Sequence, residues 1–335
     1  MRTSLKGLGV AELFQAAQSG DRGALARLLS FVERGGPQSR EVARLSFSRA
    51  GAAYAIGFTG APGAGKSTLA SAVLTDIRQR LSCAVAVLAV DPSSPVTGGA
   101  ILGDRVRMQG HALDEAVFIR SMATRGHLGG LAAAVPEAVR LLDATRWPFV
   151  IVETVGVGQV EIEVAATCDT VVVVVTPGWG DSVQANKAGL LEVADVLVIN
   201  KADRPGVIET ARDLRLMLQL SDGLAWTPPI VETVASTGEG VAQLWDAISS
   251  HRAYLESDGM LKKRRAERAR QESVRIARGR FEAALAAAVS SSGDDGLLGD
   301  LEDKRIDPEV AADRLVEKVS SALSSRAPTD EGRAP

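Results

Sequence analysis

The sequence predicts an α/β fold: a mostly parallel sheet with helices on both faces, preceded by short helices and followed by a helical arm. Three observations predict it. Apolar, strand-like runs alternate with helical stretches from about residue 53 to residue 254. A glycine-rich segment joins the first of these strands to the helix after it. Two later runs, 149–152 and 196–199, end abruptly in polar residues, as strands do where a parallel sheet presents its ligand-binding edge.

Along the chain, helical patterns occupy 10–17 and 21–32 and are closed by Gly35-Gly36-Pro37. Strands are expected over 53–59, 84–90, 117–119, 149–153, 170–176, 196–200 and 229–234. The helix after the first strand, 68–81, repeats Leu69, Val73, Ile77 and Leu81 along one face. Beyond Tyr254 the composition turns to Ala, Arg and Glu. Residues 261–288 predict one long amphipathic helix with Val274, Ala277, Phe281, Leu285 and Ala288 on its apolar stripe. A Ser/Gly/Asp stretch at 290–296 breaks it, Asp307-Pro308 starts a last helix near 310–322, and the tail from 324 reads as disordered. The expected organisation is a helical segment over 1–50, an α/β domain over 51–256, a helical arm over 257–323 and a tail over 324–335. An extended arm cannot bury its stripe alone, so it is expected to pack against a second copy.

Bulk properties narrow the class. With 335 residues and a net charge of −3, the chain can bury a sizeable core and has no global attraction for nucleic acid. The basic run Lys262-Lys263-Arg264-Arg265 through Arg270 is interrupted by Glu267 and reads as a solvated helix face. Cys83 and Cys168 sit beside apolar runs and suit a reducing compartment rather than a disulfide framework. No run reaches membrane-spanning length and the start has no apolar signal core, so a cytoplasmic protein without a membrane partner is expected.

The chemistry concentrates in Gly60-Ala61-Pro62-Gly63-Ala64-Gly65-Lys66-Ser67, which has the spacing and the strand–helix context of a P-loop. Glycines let backbone N–H groups approach phosphate oxygens, and the helix that follows, Thr68 included, directs its amino-terminal dipole at the anion. Lys66 would reach the terminal phosphates and Ser67 would ligate magnesium. The run 196–199 ends in Asn200-Lys201-Ala202-Asp203, the N-K-x-D pattern of guanine readers. A carboxylate at Asp203 accepts two hydrogen bonds from guanine N1–H and its exocyclic amine, a pair adenine cannot supply. Lys201 would lie along the base, Asn200 would brace the loop, and Ser236-Thr237 would add a base-contacting turn. GTP or GDP with Mg2+ is therefore the expected ligand. Candidate magnesium acids are Asp91, Asp104 and Glu153, the last opening a segment, Glu153-Thr154-Val155-Gly156, that resembles D-x-x-G with Glu for Asp.

Together these segments resemble one family, the GTPases that accompany coenzyme-B12-dependent acyl-CoA mutases, also once described as an arginine/ornithine transport-system kinase. The resemblance spans about 23–319. It rests on the P-loop, Val90-Asp91-Pro92-Ser93-Ser94, Leu102-Gly103-Asp104-Arg105-Val106-Arg107-Met108, Thr124-Arg125-Gly126-His127-Leu128-Gly129-Gly130, the segment from Glu153 to Gln159, and Asn200 to Asp203. Pro177-Gly178, Gly180-Asp181 and Lys187 resemble an additional switch loop. The chain departs from the family at Val160, at Trp179 inside that loop, and at Val135-Pro136, which interrupts a helical pattern.

The resemblance implies a homodimeric GTPase whose cycle gates cofactor delivery to, and protection of, a B12-dependent acyl-CoA mutase. Lys66 and Glu153 would serve hydrolysis, with Arg107, Arg125 or Lys187 as a second cation and Gln159 as a water-orienting candidate, since Val157 stands where many GTPases place glutamine. Two rival readings stay open on the sequence. A P-loop kinase acting on a small molecule would need an acceptor base, and none is evident. A nickel-inserting GTPase would need clustered soft ligands, whereas His111, His127 and His251 are scattered.

Overall fold

The computed structural model describes residue 5 and residues 7–92, 109–111, 113–124, 130–154, 167–178, 192–220, 225–291 and 296–324. The chain divides into two compact units, Met1–Lys263 and Arg264–Pro335. In the first, α1 (Val10–Gln18), α2 (Arg22–Arg34) and α3 (Pro37–Phe47) precede β1 (Tyr54–Gly60), α4 (Lys66–Leu81), β2 (Val85–Pro92), β3 (Val117–Thr124) and α5 (Gly130–Ala144). Then come β4 (Phe149–Thr154), β5 (Thr170–Val175), β6 (Val196–Asn200), α6 (Val207–Gln219), β7 (Ile230–Thr233) and α7 (Val241–Glu256). The seven strands form one sheet in the order β3-β2-β4-β1-β5-β6-β7, with every pairing parallel.

Side chains alternate across this sheet and divide the core in two. Ile56, Phe58, Val87, Ile151, Val174 and Val198 point to the face covered by α4 and α7, where Leu69, Val73, Ile77, Leu244 and Ile248 meet them. On the opposite face Leu88, Val150 and Val152 pack with α5 and with the amino-terminal helices. At the far end of that face Val173, Val175, Leu197 and Ile199 pack with Ala211 and Leu214 of α6. The amino-terminal helices thus share a core with the sheet. Both faces being covered, the strands read as continuous apolar runs rather than alternating ones.

Several sequence expectations shift. A third helix, α3, begins at Pro37, where the sequence reads as a stop. Proline at the first helical position loses nothing, because that N–H has no partner within the helix anyway. Strand β3 continues five residues past 119 to Thr124, disguised by Arg120 and Ser121. It is an edge strand, and Arg120 pairs at 2.5 Å with Glu33 of α2. Pro136 does not end α5, which runs through it. Burial of Val135, Ala138, Leu141 and Leu142 offsets the roughly 3 kcal/mol that an interior proline costs a helix. Leu81 does not complete the stripe on α4: it is 44% exposed at the last turn, while Leu69, Val73 and Ile77 are fully buried.

The second unit holds most of α8 (Met260–Ser291), then α9 (Leu297–Glu302) and α10 (Pro308–Ser324). Arg305 bridges Asp300 and Asp303 across the α9–α10 turn. Of the apolar stripe expected on the arm, Val274 and Phe281 are exposed and Ala288 is buried. No helix among the described residues is long and apolar enough to cross a membrane.

At the amino-terminal edge of the sheet the Tyr54 hydroxyl is buried 2.5 Å from Thr170 Oγ1, and burial pushes its pKa well above that of a free tyrosine. In the unfolded chain this phenol ionises near pH 10. Above that pH the unfolded state releases a proton that the folded state keeps, so stability falls as pH rises. Alkaline titration should therefore show tyrosinate absorbance appearing in step with loss of circular dichroism. In Tyr54→Phe that coupled step should vanish.

Candidate functional site

Strand β1 ends at Gly60, whose φ is 139° and where a Cβ would lie 2.0 Å from the carbonyl oxygen of Val174 on β5. Only glycine lets the chain leave the sheet so close to its neighbour. The loop then runs to Gly65, also at positive φ (88°), and α4 starts at Lys66, two residues before the sequence places it. Lys66 is buried, its ammonium donating to Gly60 O at 2.7 Å and Ala61 O at 3.0 Å. The Ser67 hydroxyl donates to Oε1 of Glu153. Glu153 is on β4, beside β1 in the sheet, and points to the face that α4 covers. Ala64 is buried, while Pro62, Gly63 and Thr68 are exposed along the mouth of the loop.

Strand β6 carries the second half of the site. The Asn200 side chain is buried and makes three hydrogen bonds. Its amide donates to Ala64 O of the glycine-rich loop at 2.7 Å, and its oxygen accepts from Thr233 Oγ1 and from Ala235 N, each at 3.1 Å. Lys201, at φ 62°, sends its ammonium to Gly63 O at 2.6 Å. Ala202 N donates to Thr233 O at 3.0 Å, which ties the end of β6 to the end of β7. Asp203 is exposed just beyond, as are Ser236 and Thr237 in the tight turn whose N–H groups at Thr237 and Gly238 reach Val234 O. The glycine-rich loop, 200–203 and 233–237 are therefore laced together at the carboxyl edge of the sheet.

Among the expected magnesium acids, Glu153 meets Ser67. Asp91 is the penultimate residue of β2, in register with Ala123, with Val90 paired to Thr154 beside Glu153. Its backbone is placed but its side chain is not described. Asp104, Arg107, Arg125, Gln159, Trp179 and Lys187 lie outside the described residues. The donors present, a hydroxyl and a carboxylate meeting at a helix amino terminus, are hard oxygen ligands of the sort Mg2+ takes beside phosphate oxygens. The set fits that ion.

Sequence reasoning missed Thr233 and Ala235, the partners of Asn200. No local pattern marks them, since Thr233 comes level with Asn200 only through the pairing of β6 with β7.

Comparison with known proteins places this geometry. Residues 25–290 match the family model described as methylmalonyl Co-A mutase-associated GTPase MeaB. A protein of Pyrococcus abyssi described as a GTPase is 46% identical over 314 residues, 92% of this chain and 97% of the relative. The GTPase ArgK of Escherichia coli is 39% identical over 277 residues, 79% of this chain and 81% of its own. Among solved structures, one described as an LAO/AO transport system kinase superposes with a TM-score of 0.65 at 28% identity, covering 93% of this chain and 97% of that one.

Asn200→Ala should leave Ala64 O, the Thr233 hydroxyl and Ala235 N without their partner. At about 1 kcal/mol or more for each buried polar group stranded, urea unfolding should register a loss on the order of 3 kcal/mol.

Proposed function

The chain belongs to the methylmalonyl-CoA mutase-associated GTPase family, and we propose that it binds and hydrolyses GTP to gate cofactor loading and protection of a coenzyme-B12-dependent acyl-CoA mutase. The observation that carries the reading is that Asn200 joins the glycine-rich loop to the end of β7 beside its own segment, which supports a phosphate-binding loop and a guanine-reading loop acting as one site. In this reading the amides of the glycine-rich loop and the first turn of α4 receive the phosphates. The Lys66 ammonium exchanges its backbone carbonyl partners for phosphate oxygens and offsets charge as the phosphoryl group transfers. Ser67 and Glu153 would hold Mg2+, with Asp91 and Asp104 as further candidates. That ion supplies charge neutralisation on the phosphates.

Asp203, exposed at the end of its loop, accepts from guanine N1–H and the 2-amino group. Lys201, fixed to Gly63 O, lays its aliphatic stem along the base plane, and Ser236 and Thr237 close the pocket from the β7 side. Arg107, Lys187 and Gln159 complete the hydrolytic set in this proposal. The exposed Val274 and Phe281 on α8 and Val316 on α10 support an arm that covers its stripe with a second copy. A lasting nucleotide-state signal needs loops that order around the γ-phosphate and relax on its loss. Slow intrinsic turnover, quickened when a mutase orders those loops, follows from that requirement.

Two measurements test this. GTP hydrolysis should rise at least severalfold when a B12-dependent acyl-CoA mutase is added. Identical rates with and without any such mutase would refute the chaperone reading. Asp203→Asn replaces an acceptor pair by one acceptor and one donor, which suits xanthine, whose 2-oxo group accepts where guanine donates. GDP affinity should fall by about a hundredfold or more and XDP affinity should rise, by calorimetry. Unchanged preference would remove guanine recognition from this loop.

A further inference from the structure

Opposite the nucleotide loops, the sheet contains a buried polar chain that the proposed chemistry does not use. The Tyr54 hydroxyl lies 2.5 Å from Thr170 Oγ1, Thr170 Oγ1 lies 2.9 Å from His251 Nδ1, and His251 Nε2 lies 3.3 Å from Asp195 Oδ1. Tyr54, Thr170 and His251 are each 1% exposed or less. Asp195 Oδ2 accepts from Val171 N at 2.8 Å, and the indole of Trp226 donates to Asp195 O at 2.8 Å while its ring lies 5.0 Å from that of His251.

The placement of these residues is the telling observation. Tyr54 opens β1, which ends in the glycine-rich loop. Thr170 opens β5, which ends at the Pro177-Gly178 turn and whose Val174 carbonyl abuts Gly60. Asp195 immediately precedes β6, which ends in Asn200. His251 is on α7, which begins just after the 234–240 turn. At about 3.3 Å per strand residue, Tyr54 is some 20 Å from Gly60. At 1.5 Å per helical residue, His251 is about 15 Å along α7 from Val241. One hydrogen-bonded chain therefore fastens together β1, β5, β6 and α7 away from the site, and of these β1 and β6 lead directly into the glycine-rich loop and Asn200.

The chain is also directional. With a neutral imidazole protonated at Nε2, the Tyr54 hydroxyl donates to Thr170, the Thr170 hydroxyl donates to Nδ1, and Nε2–H donates to Asp195. Each proton then has an acceptor. Protonating Nδ1 obliges Thr170 to accept from the imidazolium and turn its own proton toward the Tyr54 oxygen. The Tyr54 proton, deep in the core, then needs a new acceptor, and stranding it is costly. Asp195 lies 3.3 Å from the histidine Nε2 and the Tyr254 ring of α7 stacks 6.2 Å from the imidazole, while Asp169, Asp195 and Arg252 act electrostatically on Tyr54 at the other end of the relay. The imidazolium would keep its contact with Asp195 and lose the Thr170 donor at Nδ1.

We propose that Thr170 and His251 are positioning residues for nucleotide binding, acting through the Tyr54–Thr170–His251–Asp195 relay, which holds the half-sites in register only while the imidazole is neutral. The proposal rests on the nucleotide site described above. Acid shifts the population toward an imidazolium that loosens the relay, and affinity for nucleotide falls with it.

The test is GDP affinity of the full chain by calorimetry between about pH 5.5 and 7.5, the range in which a histidine changes charge. Wild-type affinity should fall about tenfold toward acid, a typical coupling between distant sites. Thr170→Val, nearly isosteric, should bind GDP about tenfold more weakly at neutral pH and show a flattened profile, and Thr170→Ser should restore both. A folded Thr170→Val that binds GDP as the wild type does, with the same profile, overturns the proposal and leaves the relay merely structural. Should that variant not fold, a wild-type affinity that stays constant across the range overturns it equally. Absence of GDP binding by the wild type at every pH would instead sink the nucleotide reading itself.

Discussion

One side-chain amide, that of Asn200, sets the geometry of the whole carboxyl edge. It is 2% exposed, and its bonds to Ala64 O and the Thr233 hydroxyl are buried, while that from Ala235 N is partly so. The two buried partners would be costly to strand. The phosphate-side loop, the end of β6 and the end of β7 are therefore not three independent loops but one joined body. The same contact dictates a residue in another segment. A Cβ at Gly65 would fall 2.4 Å from the Asn200 amide nitrogen, so the glycine before Lys66 is required by the asparagine of the second motif as well as by its own φ.

The other edge of the sheet answers this one. Strand amides at the start of a parallel sheet need acceptors, and here nearby aspartates supply them. Asp143 takes the N–H groups of Gly51, Ala52 and Ala53, Asp169 takes that of Ala55, Asp195 that of Val171 and Asp114 that of Ala116. The last is itself held by Arg78 of α4, and this guanidinium keeps the Asp114 carboxyl below the usual carboxylate range. These contacts fix where each strand begins. Because strand rise is nearly constant, they also fix the level at which Gly60, Glu153 and Asn200 emerge. The precision of the nucleotide edge is set partly from the opposite edge.

This division explains what could be read from the sequence. Strands buried on both faces announce themselves as apolar runs, and six of the seven were placed within two residues at each end. The glycine-rich loop and Asn200 to Asp203 are legible because phosphate and guanine constrain residue types at fixed short spacing. Thr233 was harder. Its role depends on meeting Asn200 across a strand pair 33 residues apart, which no local pattern encodes. The relay was invisible for the same reason, with Tyr54, Thr170, Asp195 and His251 drawn from four segments. The overlooked helix α3 and the extension of β3 failed differently. Pro37 is compatible with a helix start because the first helical N–H needs no partner, and Arg120 stays within an edge strand where Glu33 pairs with it.

Glu153 and Lys66 give the site its energetic character. Both are nearly fully buried, and Ser67, next to Lys66 in the chain, donates to Glu153. Removing such charges from water costs several kcal/mol per ion even after relaxation, and the carbonyls of Gly60 and Ala61 return part of that to Lys66. The sheet, braced at both edges, holds the two groups where they are. In the proposed reading a polyanion would bring Lys66 a full negative charge at the mouth of a helix dipole. The two loops that would receive it are already joined through Asn200. On that proposal, binding energy that would otherwise go to building the site would remain to order loops around the γ-phosphate. A switch would require that allocation, because a ligand shifts a conformational equilibrium only by its difference in affinity for the two states.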